Sequence, residues 1–120
     1  MTTALKTDKE IITQIFKDLR KEGFVARQNL ACCQSCAWSE VDIMEEKKGK
    51  TFENVVFYHR QDAESFDRGT KNLTGTMFLA WRGDSSKIVE VIRKNGLKVD
   101  WDGSDYCRIG IVPRPENIVD

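Results

Sequence analysis

The chain has 120 residues, 40% hydrophobic and 32% charged, which suits one globular domain able to bury a core without staples. Nineteen Lys and Arg balance nineteen Asp and Glu, and a net charge of zero argues against a general nucleic-acid binder, whose affinity rests on phosphate neutralisation. No apolar run approaches the roughly 20 residues of a membrane-spanning helix, and residues 1–10 are too polar for a signal peptide, so the expectation is a cytoplasmic protein with no membrane contact and with reduced thiols.

The chain reads as a single domain over 1–120, with 1–7 as a flexible N-terminal tail. Ile11, Ile12, Ile15, Phe16 and Leu19 recur at helical spacing and predict a first helix, with Asp8 as N-cap and Gly23 just past its end. Residues 24–30 follow as a strand, then a cysteine cluster. Trp38, Val41 and Met44 share one face of a second helix that Ser35 caps and Gly49 closes. Residues 52–59 are strand-favouring. A short helix is expected over 62–67 and a strand over 76–81. Gly83-Asp84-Ser85 starts a helix carrying Ile88, Val89, Val91 and Ile92, and Gly96 ends it. Strands over 97–101 and 106–112 flank a turn at 102–105 and make a hairpin. The order α-β-α-β-α-β-α-β-β predicts a compact α+β domain. Its sheet is mixed or mostly antiparallel with about five strands, helices pack on it, and a C-terminal β-hairpin closes it. A three-layer α/β arrangement is the alternative.

Three of the four cysteines stand in Cys32-Cys33-Gln34-Ser35-Cys36. A C-x-x-C at a helix start after a strand is the local arrangement of thiol–disulfide redox sites, because the helix N-terminus favours the thiolate. The remainder of a thioredoxin pattern is missing: both prolines, Pro113 and Pro115, follow the last strand. Structural zinc needs four ligands; Cys33, Cys36, His59 and Cys107, or Cys32 in place of Cys107, meet that count, so zinc is the cofactor the set admits. The plain alternative is reduced thiols buried as small apolar groups.

His59, the single histidine, lies in Tyr58-His59-Arg60-Gln61-Asp62-Ala63-Glu64. As a base beside Cys33 or Cys36 it would complete a nucleophilic pair, with Gln61 or Asp62 orienting it. As a structural residue it closes a strand while Asp62 caps a helix. Asp100, Asp102 and Asp105 lack a calcium-loop pattern and read as a hairpin turn. Arg82-Gly83-Asp84 reads as a helix start, and Trp38, Trp81 and Trp101 as core or sheet-end aromatics, with Trp81 and Trp101 placed to meet at a sheet edge. No phosphate-cradling glycine loop is present.

Taken together, residues 31–38 and 57–64 resemble a family of small bacterial domains that carries a CCxSCxW-like cluster, a YHxQDxE-like segment and an ending like residues 77–81 through 99–103. No activity comes with that resemblance. It implies that cluster and histidine segment form one site. The functional expectation is binding of a protein partner or small ligand through Cys32, Gln34, Trp38, His59, Gln61 and Asp62. The alternatives are a structural zinc domain and a thiol-dependent enzyme or redox protein using Cys33 or Cys36 with His59.

Overall fold

The computed structural model describes residues 7–103 and 108–113, with Gln34 described by its backbone alone. The chain runs α1 (Asp8–Lys21), β1 (Val25–Arg27), α2 (Gln34–Lys48), β2 (Val55–Phe57), a one-turn 3-10 helix (Asp62–Ser65), β3 (Met77–Arg82), α3 (Ser85–Lys94), β4 (Lys98–Asp100) and β5 (Ile109–Val112). The five strands form one mixed sheet in the order β1-β2-β3-β5-β4. β1 and β2 run parallel, and the other neighbours are antiparallel. The expected α+β domain and its closing β4–β5 hairpin are both present. β4 ends at Asp100 and β5 runs from Ile109; residues 104–107, which include Asp105, the second half of the turn expected at 102–105 and the start of the strand expected over 106–112, lie outside the described residues.

The start of α1 differs from expectation. Thr7, not Asp8, is the N-cap, because Glu10 completes a reciprocal capping box: Thr7 accepts from the Glu10 N–H and donates its own N–H to Glu10 Oε1 at 3.1 Å. Residues 1–6 of the expected tail lie outside the described residues. Asp8 is instead fully buried and works at long range, its carboxylate accepting the Leu73 N–H at 2.8 Å. The N–H groups of Asp8 and Lys9 donate to Asn72 Oδ1 and the Lys71 carbonyl. The orphan donors of the helix start thus hold the loop before β3.

Helices cover both faces of the sheet. On one face α1 (Ile12, Ile15, Phe16, Leu19) and α3 (Ile88, Val91, Ile92) bury Ala26, Val56, Met77, Leu79, Ile109 and Ile111, each large side chain worth about 1.5–3 kcal/mol of transfer free energy. On the other, α2 lays Ala37 and Val41 over Val55, Phe57 and Ala80. Covering on both sides explains why β2 is an unbroken apolar run rather than an alternating one. Trp81 and Trp101 meet edge-on, ring centroids 5.9 Å apart. At the open edge of β1, the Arg20 Nε donates to the Ala26 carbonyl at 2.9 Å, satisfying an outward backbone acceptor.

The α2 face continues past the helix onto β3 and β5. Phe78 is 39% exposed there, opposite Gly110. A Cβ at Gly110 would fall 2.7 Å from Thr76 Cγ2 and 3.0 Å from the Phe78 ring, so only glycine lets that ring lie across β5. Among the described residues, no helix is long and apolar enough to cross a membrane.

Candidate functional site

The strand expected over 24–30 ends at Arg27, and the chain turns sharply to deliver the cysteines. Asn29 (φ 55°) and Ala31 (φ 62°) are left-handed. That conformation is tolerated by Asn but costs an alanine about 1–2 kcal/mol. Two backbone hydrogen bonds to the end of β2 hold it: Leu30 N–H to the Tyr58 carbonyl at 2.9 Å, and Arg60 N–H to the Ala31 carbonyl at 3.0 Å. The pinned loop sets Cys32 and Cys33 beside residues 59–62.

Cys33, not Ser35, is the N-cap of α2, with extended backbone (φ −153°, ψ 174°). The reason is one of phase. Ala37 N–H already bonds the Cys33 carbonyl at 2.9 Å, so Ser35 falls inside the first turn, and its hydroxyl lies 3.6 Å from Cys33 Sγ. Cys32 and Cys33 sulfurs are 3.9 Å apart. The three sulfurs of Cys32, Cys33 and Cys36 all lie within 4.8 Å of one another, close enough to hold a metal ion. All three are free thiols; Cys32 and Cys36 are exposed and Cys33 is half-buried. The reading of these three as buried apolar groups is therefore corrected: they rim a helix start, away from either core.

The cluster is electrostatically asymmetric. The sulfur of Cys33 closes no formal cap hydrogen bond, yet the nearby backbone N–H of Cys36, then the Ser35 hydroxyl and the other two thiols, bring it down from 9.0 to about 7. The same neighbourhood pushes Cys36 up to about 11, because its own thiol interacts with Cys32 and Cys33 and a second negative charge there meets the first.

An open cleft of about 690 Å³ joins this helix start to the histidine segment, lined by Cys33, Ser35, Trp38, His59, Gln61, Asp62 and Arg108. His59 is almost fully buried. Both its ring nitrogens turn to Asp62: Nδ1 accepts the Asp62 N–H at 3.4 Å, and Nε2 lies 3.3 Å from the carboxylate. His59 is accordingly not part of the close sulfur group. Asp62 also accepts from the His59 N–H and from the Arg108 guanidinium, which donates in addition to the Phe78 carbonyl. The helix expected over 62–67 is the shorter 3-10 turn that presents this carboxylate. Trp38 packs edge-on against Phe57, ring centroids 4.8 Å apart, with Arg82 over its own ring.

Five of the residues singled out in the sequence, Cys33, Trp38, His59, Gln61 and Asp62, thus line one cleft, and Cys32 and Cys36 adjoin it through the sulfur cluster. The Gln34 side chain and Cys107 lie outside the described residues. Arg108 was not anticipated. Nothing local marks it; it reaches the cleft because β5 pairs with β3 in a register that sets Ile109 opposite Leu79. The chain belongs to the family described as Domain of unknown function (DUF6891), whose model matches residues 3–114. No curated protein and no solved structure matches it.

Proposed function

We propose that this domain binds a soft metal ion, zinc in the first instance, through the thiolates of Cys32, Cys33 and Cys36. The sulfur spacing carries the reading. Thiolates bound at about 2.3 Å in a tetrahedral site stand about 3.8 Å apart; one pair here is already at 3.9 Å and the third sulfur is within 4.8 Å of both. The start of α2 adds unpaired N–H groups and the positive end of a helix dipole, which favour the deprotonated ligands that a metal requires. Cys33 lines the cleft, so a fourth ligand can be drawn from that side. His59 fills the fourth position only by giving up its contacts with Asp62; Cys107 or a water molecule is the other candidate. With water there, the position is exchangeable, and Trp38, Gln61 and Arg108 stand where a small ligand of the metal would bind.

Metal analysis of protein reconstituted with zinc tests the proposal. The expected result is one zinc per chain, with Cys32, Cys33 and Cys36 protected from alkylation until a chelator is added. Cobalt in its place should give sulfur-to-metal charge-transfer absorption that is lost in Cys33→Ser. Sub-stoichiometric zinc together with freely alkylated cluster thiols would overturn the reading. His59→Ala and Cys107→Ser, assayed the same way, identify the fourth ligand by which of them weakens binding.

A further inference from the structure

We infer that Cys33 and Cys36 form a reversible disulfide by exchange with a low-molecular-weight disulfide, and that this bond and the metal compete for the same sulfurs. The helix start selects the pair. Cys33 is the N-cap of α2 and Cys36 its third helical residue, the two positions whose side chains reach back to each other's backbone in a capping box, and their sulfurs lie within 4.8 Å of each other. Residues one helical turn apart have Cα atoms about 5 Å apart, inside the window of roughly 4.4–6.8 Å that a disulfide spans. The Cys32 and Cys33 sulfurs lie 3.9 Å apart but are the wrong pair. Their Cα atoms are joined by one peptide, about 3.8 Å apart when trans, below that window, so a bond between them distorts the backbone. The pair is also reachable, since Cys33 lines the open cleft and Cys36 is exposed.

In the exchange the Cys33 thiolate attacks one sulfur of the small disulfide. A Cys33 mixed disulfide forms, and one small thiolate leaves. Cys36, after giving its proton to solvent, attacks the Cys33 sulfur, closes the Cys33–Cys36 bond and expels the bound small thiol. Two protein thiols are oxidised and one small disulfide is reduced to two small thiols. Cys32 alone of the three is then left to bind metal. The competition with metal rests on the three-thiolate reading above; the disulfide itself does not.

The test uses the full chain, first reduced and metal-free, then zinc-loaded, each exposed to oxidised glutathione, with disulfides mapped by peptide mass spectrometry. In the metal-free protein the expected product is Cys33–Cys36, and Cys36→Ser should stall at the Cys33 mixed disulfide. In the zinc-loaded protein, release followed with a zinc indicator should keep pace with that bond, and the oxidised chain should bind zinc at least about a hundredfold more weakly. Cys33–Cys36 bonding in a chain that never binds zinc would support the disulfide and sink only the metal reading. Stoichiometric zinc with a bond at Cys32, or with a stable mixed disulfide in the unmutated chain, would overturn the disulfide and leave the metal reading standing.

Discussion

Cys33 is expected to be the fast-reacting thiol of the metal-free protein. The Cys36 N–H and the Ser35 hydroxyl help to hold it at about 7, against 9.0 for an ordinary cysteine. At pH 7 about half of it is thiolate, compared with about one part in a hundred for an unperturbed thiol, a ratio of about fifty. A less basic thiolate is also a weaker nucleophile; at a Brønsted slope of about 0.45, a pKa lower by about two costs about eightfold. The net expectation is alkylation about six times faster than at an ordinary cysteine at pH 7. Iodoacetamide labelling across pH, with site-by-site mass mapping, reads this directly. The Cys33 rate should rise with a midpoint near 7 and then level off, while Cys36, pushed up to about 11, stays slow throughout. A Cys33 midpoint at or above about 8.5, or a fast phase that survives Cys33→Ser, would refute the account. The stability consequence has a definite sign. Folding lowers the Cys33 pKa, so this thiol adds stability as pH rises from about 7 to 9; folding raises that of Cys36, so that thiol removes stability from about 9 to 11.

Three further substitutions probe how the site is held. Asp8→Ala removes the acceptor of the buried Leu73 N–H and should cost about 2 kcal/mol, seen as a lower urea midpoint at unchanged slope; a loss under about 0.5 kcal/mol would show that the buried carboxylate does not anchor the loop. Glu45 accepts from both the Arg82 guanidinium and the Phe52 N–H, each at 2.7 Å. Glu45→Ala should therefore cost about 2–3 kcal/mol and speed amide exchange across α2, and unchanged exchange there would argue against this docking. Ala31→Gly relieves a left-handed alanine at the expense of chain entropy and should raise stability by about 0.5–1 kcal/mol; a clear loss of stability would mean that the alanine methyl matters more than the strain.

The elements whose apolar spacing reflects a single buried face were legible in the sequence. α1 and α3 each bury one stripe and stand where the spacing put them. Strand bounds were overextended at β2 because Tyr58 and His59 are buried after the ladder stops; burial and strand pairing leave the same apolar mark. The cap of α1 was readable as Thr7 with Glu10 three residues on, yet Asp8 is an equally good cap type, and its long-range bond to Leu73 decides its role. The cysteine cluster and the histidine segment were both visible, and so was the suggestion that they share a site. Their exposure was not, since a cysteine's burial depends on whether its helix turn points into the core or onto the rim.

Topology explains why the chemistry collects at this place. β1 and β2 are the sheet's only parallel pair among the described strands, and two parallel neighbours need a crossover, which here is α2. A crossover helix begins near the carboxyl end of the strand it leaves, so the start of α2 falls where β1 and β2 both end. Open sheets with parallel strands place their ligands at such carboxyl ends, and here residues 28–33 and 58–62 emerge there together. The third contributor arrives from the antiparallel half. Phe57 pairs with Ala80, and Leu79 beside it pairs with Ile109, so the residue entering β5, Arg108, stands level with the end of β2. Its guanidinium meets Asp62, which in turn occupies His59. Arg108, Asp62 and His59 are therefore linked along one wall of the cleft. At the start of α2 stand the thiols, Cys33 lining the cleft and Cys32 and Cys36 beside it. On the proposed metal reading, that arrangement leaves the sulfurs as the ligands and sets Arg108, Asp62 and His59 along the cleft beside them.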